Sequence, residues 1–463
     1  MTNCEPLAWF GALIVLVCGA FILVPYLRHR GELISAWTIL LLGIAIFLGL
    51  GSIEAWMSPM RFMGLEWFQP TKTEVHRYLG LTTLFMVVLL GAHYYDPASK
   101  AIAARCFNKW PPFNVSSFIF VLVVCFLIIG ANAVTNQITF LGPLVLNFSH
   151  KGIIFSSVFA FAMWYENRRS LLWLTVFVVV FVFDCLLGSL AGGGRRVILS
   201  VVVGPILYAY MAHLRHWKPA KALVGVALAT FVVFALTLMY SSIRHFDRTS
   251  EHEARSAANL IAALRQVGSF RWIERFRENK ISFLSQQSIH YSLLADHFIS
   301  TGQLQPRPLN TLVFMAVYPI PRRIWPDKPK ALGEVIVHDT VGYATTSWGC
   351  GVTGQAVYEG GYITIAIYAY LIMMMTRLVD DPLQRQPTNP FLISMLTAAA
   401  PQILAWPRGD LGIMSNEIVE CFLFAFALGI VGRFLFGTER SSPTQSLPEA
   451  RYPLVHQTPL RQS

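Results

Sequence analysis

Long apolar runs return along this chain at 7–27, 33–57, 78–95, 114–131, 150–165, 171–190, 197–213, 221–242, 361–379, 389–406 and 417–436. Most approach or exceed the roughly 18 residues that a helix needs to cross a bilayer. In lipid every backbone polar group must be bonded within its own segment, so the pattern predicts an all-α polytopic membrane protein with about eleven transmembrane helices. The fifth run is the weakest. Residues 138–148 are apolar but too short to span, and Ser149-His150-Lys151 follows, which predicts an interfacial or re-entrant piece ahead of the span. The first run has no basic region before it and no small-residue cleavage site after it, so it reads as a retained helix.

One long polar segment interrupts the pattern, residues 244–360 between the eighth and ninth spans. The predicted organisation is therefore an N-terminal bundle of about eight helices over 1–243, a large loop over 244–360, about three further helices over 361–437, and a disordered tail over 438–463 rich in Ser, Pro, Gln and Thr. Within the loop, residues 257–284 carry apolar positions at helical spacing with Arg265, Arg271, Arg275 and Arg277 between them. That pattern predicts an amphipathic helix, lying in the membrane interface or packed on the loop itself. Residues 306–329 are proline-rich and predict extended or turning chain. Residues 342–361 are glycine-rich and lead into the ninth span.

Charge placement gives the expected orientation. Arg28, Lys100, Arg105, Arg168, Arg169, Arg215, Lys218, Arg377 and Arg385 fall in alternate connections, which the positive-inside rule places in the cytoplasm. The N-terminus and the 244–360 loop then lie outside, with the C-terminus cytoplasmic. The composition agrees: 55% hydrophobic and 13% charged, against about 25% charged in a soluble domain. The net charge of +11 follows from the same topology, and no basic patch interleaved with stacking aromatics points to nucleic acid. The seven Cys form neither metal-ligand spacings nor a disulfide framework, although a Cys4–Cys350 bridge is conceivable.

Candidate chemistry gathers on the expected outer face. Ala191-Gly192-Gly193-Gly194-Arg195-Arg196 joins two spans. It reads either as a backbone nest with Arg195 and Arg196 beside it, suited to a phosphate, or as a tight turn with two snorkelling arginines. In the loop, Arg322, Arg323 and Lys328 stand in a frame of Pro319, Pro321, Pro326 and Pro329, with Trp325 placed to stack on a sugar or to sit at the interface. The other reading of this segment is a structural strap across the membrane surface. His338 and Glu359 are candidate proton acceptors, with Tyr358 beside Glu359; the bland alternative is ordinary surface polarity. In Trp406-Pro407-Arg408-Gly409-Asp410, Arg408 is positioned to clamp an anion and Asp410 to orient it, or the two form a simple turn salt bridge; Glu417 and Glu420 follow on the same side. Asp184 lies inside a span, where carboxylates tend to be functional, or pairs with Lys151 or Arg195. The chain carries no Walker loop, HExxH, CxxC pair or serine elbow, and no pair of similar halves with broken helices as in many transporters.

With about eleven spans and one large late loop, the chain resembles the O-antigen polymerases, the oligosaccharide repeat-unit polymerases of bacteria. The resemblance is carried locally by Gly193-Gly194-Arg195, by Pro321-Arg322-Arg323-Ile324-Trp325-Pro326-Asp327-Lys328-Pro329, and by 351–361 with Glu359 before the next span. It implies a glycosyltransferase that joins repeat units carried on undecaprenyl diphosphate at the periplasmic face of a bacterial inner membrane, making O-antigen or exopolysaccharide without cofactor or metal. Arg195, Arg196, Arg322, Arg323 and Arg408 would neutralise the diphosphate, with Trp325, Lys328 and Tyr358 on the substrate and His338, Glu359 or Asp410 as base. The 33 Phe would line a groove for the polyprenyl chain. Expected partners are the lipid-linked oligosaccharide, membrane lipids, a chain-length regulator and a flippase, with no nucleic acid. An O-antigen ligase using a lipid A-core acceptor, a transporter of lipid-linked sugars, and a structural component of an envelope machine are the competing readings.

Overall fold

The computed structural model describes residues 4–28, 31–57, 69–106, 109–135, 142–190, 194–225, 288–320, 322, 324–342 and 348–437. All regular structure among them is helical. Among the described residues, eight helices are long and apolar enough to cross a membrane. In chain order the principal helices are α1 (Glu5–Leu27), α2 (Ala36–Met57), α3 (Lys72–Tyr95), α4 (Pro97–Cys106), α5 (Val115–Thr135), α6 (Gly142–Glu166), α7 (Leu171–Leu190) and α8 (Gly194–Ala212). After the loop come α9 (Ser288–Ser300), α10 (Asn310–Val317), α11 (Gly351–Glu359), α12 (Tyr362–Arg385), α13 (Pro390–Ala405) and α14 (Leu411–Phe436).

The expected spans map onto these helices closely. The runs at 197–213 and 389–406 correspond to shorter apolar helices, α8 and α13. The run at 221–242 falls mostly outside the described residues, as does the expected amphipathic helix at 257–284. Local chemistry explains several starts. Ser35 and Thr38 form a reciprocal capping box at the head of α2, and Thr71 and Glu74 do the same for α3. Asn389 caps α13 with Pro390 in its first turn, and Asp410 caps α14.

Two expectations need correction. Residues 142–166 form one continuous helix in place of a short interfacial piece followed by a span. Pro143 sits in the first turn, where a missing N–H costs nothing, and the polar Asn147 and Lys151 are tolerated because both meet Glu420. Within 306–329, residues Asn310–Val317 are helical. Pro308 precedes that helix and Pro319 follows it, so no proline interrupts the apolar run between them. The glycine-rich 342–361 stretch contains α11. In addition, Cys4 and Cys350 are both free thiols, so no bridge joins them.

Packing sorts the helices into an inner and an outer set. In their most apolar windows α2 and α6 bury 67% and 61% of residues, whereas α1, α5 and α7 bury 22%, 22% and 17% and present apolar surface outward. α13 packs on α2, α6, α8 and α14. Its approach to α2 is tight: a Cβ at Gly43 would lie 2.2 Å from the Leu404 carbonyl oxygen. Small residues at such crossings let membrane helices meet closely. Gly43→Val is expected to lower folded stability by about 2 kcal/mol through overpacking, read as a lower thermal midpoint in detergent. An unchanged midpoint would mean that this crossing does not limit stability.

The pairing of helices gives the bundle two distinct ends. α3, α6, α8, α12 and α14 all begin at one of them, here termed the head. Arg77 near the start of α3 pairs with Asp296 of α9 at 2.5 Å, and Glu74 meets His297 at 3.0 Å. A π-helical stretch of α2 (Ala45–Leu50) faces the same region, where Ser288 Oγ donates to the Phe47 carbonyl at 2.7 Å. Such wide turns often accompany functional sites. At the opposite end Asp380 of α12 accepts from the first N–H groups of α2, Ala36 at 2.6 Å and Trp37 at 2.9 Å.

Candidate functional site

The head of α14 is where the chemically capable residues meet. Asp410 turns the chain into this helix by accepting from the N–H groups of Gly412 at 3.0 Å and Ile413 at 3.3 Å. Its neighbour Leu411 donates its N–H to Gln355 Oε1 at 2.9 Å, which fastens α11 to the same turn. The 348–352 segment lies directly on the 406–410 turn. A Cβ at Gly349 would lie 2.6 Å from the Arg408 carbonyl, and one at Gly351, where φ is +65°, would lie 2.5 Å from the Pro407 carbonyl. Only glycine fits at these two positions, on steric grounds at both and on conformational grounds also at Gly351. Asp410 is therefore a buried helix cap, and burial holds its carboxyl above the usual range against the pull of Ile413, Gln355 and Gly412. The Arg408 guanidinium stands over the Phe47 ring at 5.9 Å.

α10 lies across the head of α14, with Phe314 against Gly412. Its first turn is pinned by Glu359, the last residue of α11. The Glu359 carboxylate accepts from Thr311 N at 2.9 Å and Thr311 Oγ1 at 2.5 Å, and it also accepts the Tyr368 hydroxyl. Thr311 and Tyr368 are also wall residues of an apolar groove between α12 and α14, about 590 Å³ in volume. Leu371, Met375, Leu423 and Phe426 continue the wall away from the head. The groove is almost wholly hydrocarbon-lined, and its top lies beside an acid with three donors on it.

Burial raises the Glu359 carboxyl above its ordinary range; the Thr311 and Tyr368 hydrogen bonds oppose this, and Asp410 adds to it. The fold thus favours the protonated form relative to the unfolded chain. The stability this group contributes is full below an ordinary carboxyl value of about 4.3 and is lost as pH rises through the higher folded-state value. Glu359→Gln should remove that slope. Its thermal midpoint should change less between about pH 4 and about pH 8 than that of the wild type. A variant with an identical pH profile would place the titration elsewhere.

The other side of α14 carries charge. Lys151 of α6 meets Glu420 at 3.1 Å, and Asn147 donates to the same carboxylate at 3.1 Å. Arg196 of α8 donates to Gln402 of α13 at 2.8 Å and faces Glu417 at 3.8 Å, while Gln402 donates its amide to Glu417. The side chains of Arg196 and Glu417 are 40% and 26% exposed, so this end of the network is open to an incoming ligand. Tyr318, just beyond α10, borders this set: its hydroxyl meets Asn147, with Glu420, Glu417 and Lys151 nearby. Burial, joined by the two carboxylates, raises it against the opposing effects of Asn147 and Lys151. α10 and Tyr318 thus bridge from the apolar groove to the charged network.

The proline-rich segment spends much of its charge on itself. Lys328 Nζ donates to the carbonyls of Tyr318 at 3.1 Å and Ile320 at 2.8 Å, and Arg322 donates to the Lys328 carbonyl at 3.1 Å while facing Glu334 at 3.6 Å. Prolines leave carbonyls without the usual backbone donors, and these cations supply them. Burial and the nearby Arg322 lower the Lys328 ammonium, partly offset by Glu334. Ile324 and Trp325 project outward, 70% and 40% exposed, as interface anchors do. No protein-family model, curated protein or solved structure matches the chain.

Of the residues singled out from sequence, Arg196, Glu417 and Glu420 come together on one network, and Glu359 and Asp410 both serve the head of α14. Tyr358 is buried in a satellite core with Val335, Ile336 and Trp348, which also holds the segment bearing the half-buried His338. The Arg195 side chain and Arg323 lie outside the described residues. Lys151, one of the partners considered for Asp184, pairs with Glu420; Asp184 accepts from Ser156 Oγ at 2.7 Å. Sequence reasoning overlooked Thr311, Tyr368, Asn147, Gln402 and Tyr318. The signal it underused was Lys151, a lone cation inside an apolar helix, which demands a partner.

Proposed function

We propose that this protein is a glycosyltransferase of the membrane that polymerises oligosaccharide repeat units carried on undecaprenyl diphosphate, acting at the outer face of a bacterial inner membrane. One observation carries the reading. α10 and Tyr318 connect an apolar groove of about 590 Å³ to an open Arg196–Glu417 pair beside Lys151–Glu420. A polyprenyl diphosphate sugar has the matching parts: a long branched hydrocarbon tail, a dianionic linker and a glycan.

In the proposed reaction, a hydroxyl oxygen of the acceptor sugar attacks the anomeric carbon of the donor glycan. The bond from that carbon to the diphosphate oxygen breaks, and undecaprenyl diphosphate leaves with the electron pair. Arg196 stabilises the charge that grows on the leaving diphosphate. Glu417, the partly exposed carboxylate opposite it, accepts the proton from the acceptor hydroxyl. Glu359, Asp410, Lys328 and Arg322 act as positioning residues that hold α10, α14 and the proline-rich segment in place. Trp325 lies at the membrane–water boundary, where a glycan would pass.

Deletion of the gene tests the class. The expected phenotype is a surface glycan limited to single repeat units. Full-length polymer in the deletion strain would overturn the proposal. Polymer that accumulates on its lipid carrier without reaching lipid A-core would favour a ligase instead.

A further inference from the structure

A second cavity, about 620 Å³, opens at the end of the bundle away from the head, between α1, α2, α3 and α12. Arg377 of α12 forms part of its wall. Counted from Tyr362 at the head, Arg377 lies about 23 Å along the helix at 1.5 Å per residue, inside the far part of a hydrocarbon layer about 30 Å thick. It is only 7% exposed, and a buried charge in a membrane span is costly unless something pairs with it. Arg377 donates to the Asp96 carbonyl at 3.1 Å. Among the described residues it forms no ion pair with a carboxylate. A guanidinium has five N–H donors, so one carbonyl leaves both its charge and most of its donors for an anion.

The acidic residues of the same cavity are engaged elsewhere. Asp380 is committed to the N-terminus of α2 through Ala36 and Trp37. Glu32 faces Arg215 at 3.6 Å, and Asp381 has a partner as well. Arg28, exposed at the end of α1, adds a second guanidinium to the wall. Another part of the wall is apolar, formed by Phe21, Ile22 and Val24 of α1. It continues onto the outward flank of that helix, where Leu23, Val24 and Leu27 are exposed. Tyr94, 58% exposed, stands at the rim as aromatic residues do at a membrane boundary.

We propose that this cavity binds a membrane phospholipid by its phosphate. Arg377 bonds the phosphate oxygens from within and Arg28 from the rim, in the planar geometry that suits guanidinium to phosphate. Basic pockets between membrane helices take lipid headgroups in this way. The acyl chains leave over Phe21, Ile22 and Val24 into the bilayer. A lipid without phosphate would leave Arg377 buried and unneutralised. A soluble phosphate ester would make no use of the apolar wall. The inference stands apart from the proposed catalytic reaction, since no residue is shared.

The test uses the full chain, purified in detergent and mixed with equal amounts of phosphatidylglycerol and the diacylglycerol of the same acyl chains, with bound lipid read by native mass spectrometry. Phosphatidylglycerol should be retained about tenfold over diacylglycerol, the effect of about one hydrogen bond to a charged group. Arg377→Gln should bring that ratio close to parity, and the exposed Arg28→Gln should lower it part of the way. Should Arg377→Gln fail to fold, Arg28→Gln decides alone. Arg168→Gln, at the same end of the bundle but outside the cavity, should leave the ratio unchanged. Equal retention by the wild type, a ratio that moves in neither cavity variant, or an equal fall with Arg168→Gln would overturn the proposal. Displacement of the lipid by an equal concentration of glycerol 3-phosphate would overturn its lipid part, whereas retention of the lipid supports it.

Discussion

Arg196→Ala is expected to reduce polymer synthesis by about a hundredfold or more, the usual cost of removing one preorganised group that stabilises a leaving charge. Arg196 is the cation of the network that combines a partly exposed side chain with a fixed direction: Gln402 holds one nitrogen at 2.8 Å while Glu417 lies 3.8 Å away. Truncation removes the guanidinium and leaves Gln402 and Glu417 still bonded to each other. The frame should therefore survive, and the variant should show a near-normal thermal midpoint. Arg196→Lys should recover part of the activity, because a point charge neutralises phosphate without the bidentate geometry. The measurement is the length distribution of surface glycan in a complemented deletion strain, checked by protein level in the membrane fraction. Normal chain length with Arg196→Ala would remove this residue from the proposed diphosphate site.

Blocking the groove should have the second large effect. Leu423 lies on the groove wall of α14 and is 56% exposed, so Leu423→Trp fills space without invading a packed core. Lipid tails are as apolar as the groove, so binding of a polyprenyl chain there depends on shape more than on hydrophobicity. A bulky ring in the path should raise the KM for lipid-linked donor by about tenfold, a loss near 1.4 kcal/mol. A short-chain prenyl analogue that stops short of Leu423 should be affected much less. Equal loss for both analogues, or for neither, would place the tail elsewhere. Substitution of Leu171, exposed on the outer surface of α7, provides the control.

Hydropathy along the chain was enough to find most membrane helices, because a span of apolar residues has few alternatives in lipid. The pairings that make the site were not readable in the same way. Nothing local at Lys151 points to Glu420, which lies 269 positions away, and Gln402 looks like any polar residue near a helix end. The proline-rich segment misled in a different manner. Counting its prolines hid the eight-residue helix between Pro308 and Pro319, and counting its cations hid the fact that Lys328 and Arg322 bond carbonyls of their own segment. Glycines gave a fairer signal. Gly349 and Gly351 mark the place where the 348–352 segment presses on the Pro407 and Arg408 carbonyls, and only a residue without a side chain allows that contact. Glu359 was visible as a carboxylate at the mouth of a span, but its partner Thr311 lies 48 positions earlier and becomes its neighbour only once α10 crosses α14.

If the chain itself joins lipid-linked repeat units, as proposed, purified components should reproduce the reaction. The most direct measurement gives the purified protein, in proteoliposomes, a single undecaprenyl-diphosphate-linked repeat unit labelled on its glycan and follows the products by gel and mass spectrometry. The expected product is a ladder of glycans spaced by one repeat unit, still carried on lipid, with one undecaprenyl diphosphate released per linkage and the ladder absent with Arg196→Ala. Substrate recovered unchanged by well-folded wild-type protein, or moved across the bilayer without growing in length, would contradict it.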